Sequence, residues 1–255
     1  MKALIFAAGL GSRLGSITQT CPKALVEVGG EPMLKRVILK LKRAGIDDMV
    51  VNIHHHADMI RDYLSSNNNF GVNILLSDES NELLDTGGGL LKAKDLLGTD
   101  SPVLLHNADI LTDFNVSEMI ESHRKSEADV TLLVAQRTTS RYLLFDDTLR
   151  MKGWTDIRTG EIRSPWPEDE ASACQKLAFG GVHIVNPSVF PLLENYSREA
   201  KFSITPFYTS SCKSLRISGF IPAENYNWVD IGKPESLKVA ENIVSGFQPI
   251  AGAEY

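Results

Sequence analysis

Two hydrophobic periods alternate along the first 136 residues, and that alternation leaves few folds open. Residues 3–7 form a short continuous apolar run that ends at Gly9, the pattern of a strand buried on both faces. Residues 32–44 then place Met33, Val37, Leu41 and Ala44 on one face with lysines opposite, and Gly45 closes the helix. The exchange continues, with strands expected at 49–53, 72–76, 103–105 and 130–134. Helices are expected at 57–64, 89–97 and 116–123, the last capped by Asn115. Strands and helices in this rhythm build βαβ units. The fold class is therefore α/β: a Rossmann-like, mainly parallel mixed sheet flanked by helices, with a small substrate lobe.

The lobe is expected after Gln136, where the rhythm changes. Residues 142–154 read as hairpin strands around Asp146-Asp147, and 155–176 as an exposed polar loop carrying Pro165 and Pro167. A strand at 179–185, a short helix opened by Pro187, a helix at 204–210 and a strand at 215–220 follow. Pro234 opens a final helix at 235–244. No repeat or low-complexity linker divides the chain, so 1–255 reads as one domain. A hydrophobic share of 43% and a charged share of 23% fit an ordinary globular chain. Three cysteines, Cys21, Cys174 and Cys212, with no C-x-x-C pair, argue against a disulfide scaffold or a cysteine-ligated zinc. A net charge of -6 argues against general affinity for nucleic acid, though not against a small phosphate ligand held by a few cations. No apolar run approaches the ~18 residues that cross a bilayer. The apolar N-terminus runs straight into glycines and Arg13, so it reads as a buried strand rather than a signal peptide, and a cytoplasmic location is expected.

The turn after the first strand is rich in glycine: Gly9-Leu10-Gly11-Ser12-Arg13-Leu14. Glycine permits positive φ and lets backbone amides approach a ligand, which suits a phosphate cradle. One reading is a dinucleotide-binding turn, with Gly9, Gly11 and Gly15 as its glycines and Glu27 as ribose partner, which would make the chain an NAD(P)-dependent oxidoreductase. That reading needs an amphipathic helix directly after the glycines. Residues 16–23 are instead polar, β-branched and interrupted by Pro22. A long loop carrying two cations, Arg13 and Lys23, fits better, placed where open α/β sheets bind ligands. Three successive histidines, His54 to His56, follow the second strand; adjacent side chains of an extended segment point to opposite faces, so they do not converge on a metal. Trp154 and Trp166 flank the polar loop and either close over a ligand or anchor the loop.

G-x-G-S-R-L, then Thr18, then Pro22-Lys23 resembles the signature of the sugar-phosphate nucleotidylyltransferases. Ser16-Ile17-Thr18 stands where that family has Pro-Leu-Thr. The resemblance continues through Thr86-Gly87-Gly88-Gly89, Asn107-Ala108-Asp109, Gly180-Gly181 and Trp228-Val229-Asp230-Ile231-Gly232. The pattern is most similar to N-acetylmuramate-1-phosphate uridylyltransferases, with mannose-1-phosphate guanylyltransferases second. It implies the nucleotide-diphospho-sugar transferase fold, with 1–136 as the nucleotide-binding half, 137–232 as the sugar-binding lobe and 233–255 as a C-terminal helix and tail. Only that helix and tail follow Gly232, so the β-helix appended in longer relatives is not expected.

The resemblance also implies chemistry. A sugar-1-phosphate oxygen attacks the α-phosphorus of a nucleoside triphosphate and pyrophosphate leaves in line. Arg13 would stabilise the departing pyrophosphate, and Lys23 would contact the α-phosphate or the sugar phosphate. Ala8, Gly9, Gly11 and Ser12 would form the cradle, while Thr86, Gly87 and Gly88 would let the base lie close to main-chain groups. Asn107, Gly181 and Ser203 would meet the sugar. Asp109 and Asp230 would hold Mg²⁺, although each also sits where aspartate commonly caps a turn. The expected partners are a nucleoside triphosphate, with UTP and N-acetylmuramate-1-phosphate as first choice, and no nucleic acid or membrane. The alternatives are a mannose- or heptose-1-phosphate guanylyltransferase, or a catalytically silent sugar-nucleotide sensor. The assembly is expected to be a monomer or homodimer.

Overall fold

The strand Lys2–Phe6 lies in the middle of the sheet because both of its faces are apolar; Ala3, Leu4 and Ile5 are fully buried. In this computed structural model, which describes residues 1–245, it pairs in parallel with Asp48–Ile53 on one side and Val103–Asn107 on the other. Asn73–Asp78 extends the parallel set beyond Asp48–Ile53. On the far side Gln175–Val185 runs antiparallel to Val103–Asn107, followed by Val130–Ala135 and then Ile217–Phe220. The N-terminal end of Gln175–Val185 also pairs with Arg141–Phe145, which continues into Met151–Asp156 and Glu161–Arg163. The whole forms one ten-stranded sheet.

The period-2 alternation of the central strand sorts the helices into two layers. Ala3 and Ile5 face a cluster shared with the helices Met33–Arg43, Ala57–Ser66 and Val116–Lys125. Leu4 faces the opposite cluster, built with the helices Asp85–Leu97, Phe190–Glu194 and Ile204–Ser211. Asn115 caps Val116–Lys125 as expected, accepting from the amides of Ser117 (3.0 Å) and Glu118 (3.4 Å). A third, smaller cluster joins Leu14, Val28, Leu111, Val229, Ile231 and Ala240, and so ties the glycine loop to the helix Pro234–Ser245.

As expected, the segment after Gly9 is a long loop: it holds only a 3-10 turn (Ser12–Leu14), one α turn (Ile17–Thr20) and a second 3-10 turn (Lys23–Leu25), with no amphipathic helix behind the glycines. The structure departs from the sequence expectations in three places. The helix expected from Gly89 begins four residues earlier, at Asp85, so the glycines lie inside its first turns. Residues 155–176 are not a loop throughout: the hairpin continues through Glu161–Arg163, and a short helix forms at Glu168–Ser172. The turn is held by the Asp156 carboxylate, which accepts from the Arg158 amide and guanidinium, and by Gly160 at φ +73°. Finally, Ile110–Thr112 is a strand, paired antiparallel with Trp228–Asp230. The tail of the segment expected at 233–255 lies outside the described residues. Among those residues, no helix is long and apolar enough to cross a membrane.

Candidate active site

The cleft opens where the parallel strands end. Asn52, the one polar residue in an otherwise apolar stretch of Asp48–Ile53, is almost fully buried. Its Oδ1 accepts from the amides of Ala7 (2.6 Å) and Ala8 (3.1 Å), fixing the point where the first strand turns into the glycine loop. Gly11 sits at φ +65° against Thr18, whose hydroxyl donates to the Gly11 carbonyl at 2.9 Å. A Cβ at Gly11 would lie 2.6 Å from the Thr18 methyl, so this position needs glycine both for its conformation and for its packing.

Beneath the loop lies a carboxylate absent from the sequence-based set. Glu79 is fully buried; one oxygen accepts from Asn52 Nδ2 (2.7 Å) and the other from the Leu84 amide (3.0 Å). Burial raises its pKa, while the bonds from the Leu84 amide and Asn52 pull the other way. The Asn52–Glu79 pair therefore links the glycine loop to residue 84, the entry to the next helix. A polar residue interrupting an apolar strand was the available signal; its partner could be found only from the pairing of strands.

Four charged side chains converge at the loop. The Lys23 ammonium bonds Asp109 Oδ2 and lies 3.8 Å from Asp230 Oδ1. The Arg13 guanidinium stands 3.8 Å from the other Asp230 oxygen. Asp109 and Asp230 are held side by side by the ribbon of Ile110–Thr112 and Trp228–Asp230, and the Ile231 amide donates to the Asp109 carbonyl at 3.0 Å. Gly232 follows closely, its amide donating to Asp230 Oδ1 at 2.7 Å.

A cleft of about 630 Å³ brings together Ala8, Gly9, Gly11, Ser12, Arg13, Lys23, Thr86, Asn107 and Asp109. Glu79, Asp85 and Lys201 line it as well. Asp230 borders it through Arg13 and Lys23. Gly181, at φ +72° in a β-bulge, lies beside Asn107, whose Nδ2 is 3.1 Å from where a Cβ would stand. Gly87 and Gly88 do not face the cleft: their amides donate to the Phe202 carbonyl at 2.9 and 3.2 Å. Ser203 is not among the lining residues; it precedes the helix Ile204–Ser211, whose first amide donates to Thr86 Oγ1 at 3.0 Å.

Arg137 also went unpredicted. Its guanidinium stacks 3.4 Å over the Trp228 ring and donates to the Phe179 carbonyl, and burial pushes its pKa below the usual arginine value. The three histidines do not converge on one point: His54 is bonded to the Glu79 carbonyl, and His56, its ring 3.9 Å from that of His55, to the Gln19 carbonyl. Trp166 is packed among Lys152, Lys213 and Arg150, which makes it an anchor of its loop. Among the described residues, no three His, Cys, Asp or Glu side chains cluster as a ready metal cage.

Residues 2–146 match the nucleotidyl transferase family. The N-acetylmuramate alpha-1-phosphate uridylyltransferase of Caulobacter vibrioides is 30% identical, over 94% of this chain and 95% of that protein. The Neisseria meningitidis enzyme of the same name is 29% identical over 97% and 100%. The mannose-1-phosphate guanyltransferase of Yarrowia lipolytica is 28% identical over 93% of this chain, which spans only 62% of that longer protein. Among solved structures, one from Bacillus anthracis described as a glucose-1-phosphate thymidylyltransferase superposes with a TM-score of 0.82 at 20% identity, covering 97% of this chain and 96% of that one. HddC from Yersinia pseudotuberculosis, complexed with GMP-PN, gives 0.73 at 22% identity, covering 95% and 99%. These two share the fold. With its family match over more than half its length, the chain belongs to the nucleotidyl transferase family, the sugar-phosphate nucleotidylyltransferases.

Proposed function

We propose that this chain transfers a nucleoside monophosphate from a nucleoside triphosphate to a sugar-1-phosphate, releasing pyrophosphate. The observation that carries the proposal is the quartet of Arg13, Lys23, Asp109 and Asp230 beside a glycine cradle. The attacking sugar phosphate is already an anion, so no general base is needed, and the difficulty is repulsion between two phosphorylated substrates. The Arg13 fork neutralises the leaving pyrophosphate. Lys23 supplies a compact positive charge near the α-phosphate. The Gly11 amide and Ser12 hydroxyl complete the cradle, and Asn107, beside Gly181, orients the sugar.

The donor set suits a divalent metal. Two carboxylates already converge on one cation, the Lys23 ammonium, and Mg²⁺ takes one or two carboxylates with water and substrate phosphates as its other ligands. Asp109 and Asp230 would hold it, and when bound it would supply charge neutralisation across both substrates.

For the finer choice, we favour UTP with N-acetylmuramate-1-phosphate, supported by the match to two uridylyltransferases along nearly their whole length. GTP with mannose-1-phosphate is the second reading, supported by the guanyltransferase match. Either draws on nucleoside triphosphates, consistent with work in the cytoplasm. The test is a pyrophosphate-release screen of UTP, GTP, CTP and ATP against N-acetylmuramate-, N-acetylglucosamine-, mannose- and heptose-1-phosphate. Asp109→Ala and Asp230→Ala are each expected to cut turnover by roughly a hundredfold or more. Near-normal rates in either variant would remove it from the metal pair.

A further inference from the structure

The contacts of Gly87 and Gly88 assign these glycines to packing rather than to ligand approach. A Cβ at Gly87 would run into the Phe202 ring, and one at Gly88 into the Ala200 carbonyl. Phe202 is clamped from both sides: its carbonyl accepts from both glycine amides, and its own amide donates to the Leu84 carbonyl at 3.1 Å. The Ile204 amide then bonds Thr86 Oγ1. The missing side chains at 87 and 88 thus admit residues 200–202 across the start of the helix. Lys201, between the two clamped neighbours, is thereby delivered into the nucleotide cleft.

Asp85 lines the same cleft one residue before Thr86. It holds φ +60°, a conformation that Asp and Asn tolerate better than most L-residues. One of its oxygens accepts from the Thr86 amide at 2.7 Å, which leaves the other free. Among the described residues, neither Asp85 nor Lys201 has an ion-pair partner. The phosphate cations Arg13 and Lys23 come from the glycine loop, whereas Asp85, Lys201 and the apolar Leu83 come from the helix entry and the segment clamped on it. The cleft thus offers a carboxylate, an ammonium and an apolar side chain from elements other than the glycine loop.

We infer that Asp85 and Lys201 select the nucleobase by reading an O=C–N–H edge, the carboxylate accepting from the ring N–H and the ammonium donating to the neighbouring carbonyl. Uracil, thymine and guanine carry that edge. Cytosine and adenine carry the opposite polarity, an amino group beside a bare ring nitrogen, which would set a lone pair against the carboxylate. The relatives named for uridylyl and guanylyl transfer differ in base but share this edge. The inference rests on the proposed transferase reading and narrows its nucleotide to the oxo bases.

The test measures equilibrium binding of UTP, GTP, CTP and ATP, each with Mg²⁺, to the wild type, Asp85→Asn and Lys201→Met, alongside kcat/KM from pyrophosphate release. Asn tolerates the same φ, so Asp85→Asn keeps the backbone while replacing an acceptor with a mixed donor and acceptor. The wild type is expected to favour UTP or GTP over CTP and ATP by at least tenfold, and each variant to reduce that ratio about tenfold. A wild-type preference for CTP or ATP, or unchanged ratios in both variants, would overturn the inference. So would an equal loss for all four nucleotides in Lys201→Met, which would make that lysine a phosphate contact. Absence of pyrophosphate release with every sugar phosphate would instead count against the transferase reading, and the binding ratios would still decide the base edge.

Discussion

Lys23 reaches the cleft with only 10% of its side chain exposed, its ammonium bonded to Asp109 and close to Asp230. Two carboxylates held this near each other repel, and the ammonium between them offsets that repulsion in the empty protein. A divalent cation must therefore compete with Lys23 for the same oxygens until a phosphate draws the lysine away. Lys23→Met should accordingly bind Mn²⁺ more tightly in the absence of nucleotide, by about tenfold or about 1.4 kcal/mol, as read by titration of the free-Mn²⁺ electron paramagnetic resonance signal. Turnover in the same variant should fall, because the proposed contact of Lys23 to the α-phosphate is gone. Equal Mn²⁺ affinity in variant and wild type would show that the lysine does not guard the carboxylates. The four charged residues were legible in the sequence because each stands inside a motif. Asn52, Glu79 and Lys201 were not, since each acquires its place only through a partner distant along the chain: Glu79 for Asn52, and the glycines at 87 and 88 for Lys201.

At the scale of elements, the helix Asp85–Leu97 shows how a glycine run can be misread. Its composition announces backbone freedom, and from sequence alone that freedom looks like room for a ligand. The room is occupied by residues 200–202. Gly88→Ala should therefore damage the fold, because the added carbon meets a backbone carbonyl that cannot rotate aside. A loss of about 1–3 kcal/mol is expected, in the range of overpacked interiors, measured by thermal or chemical denaturation. Gly9→Ala provides the contrast, since a Cβ there meets nothing within 4 Å and φ is not positive, so stability should be unchanged. Equal stability of the two variants would mean that the clamp adds nothing to the fold. The strand-and-helix order of the first half was readable because its apolar periods are long. The shortest strands were less so: Ile110–Thr112 is three residues long, too short for a period to show, and all three residues of Glu161–Arg163 are exposed, so no buried face marks it.

The whole molecule carries a pH dependence in its sheet. His106 and His183 sit on adjacent antiparallel strands, both essentially buried, and burial pushes each pKa down to about 3. His183 is bonded to the Tyr208 hydroxyl at 2.7 Å, and His106 Nδ1 to the Asn107 carbonyl at 2.8 Å. Both rings are neutral in the folded chain, whereas an unfolded histidine takes up a proton near pH ~6.5. Their contribution is thus complete above about pH 6.5 and is lost as pH falls toward 3, at ~1.4 kcal/mol per pH unit for each. Guanidinium unfolding across pH 7 to 4 should show this slope, and His183→Phe should reduce it by about one histidine's share. An unaltered slope would mean that His183 is not held neutral. The sheet also has a mechanical character. Gln175–Val185 belongs at one end to the parallel core and at the other to the hairpins of the lobe, and its register slips around Gly181. The bulge that turns this strand from one set of partners to the other lies against Asn107. Leu143, Phe145 and Met151 of the lobe pack into the core cluster, and the Gly219 amide donates to the Leu149 carbonyl, so the hairpins are braced on the core as a rigid outrigger rather than hung from it.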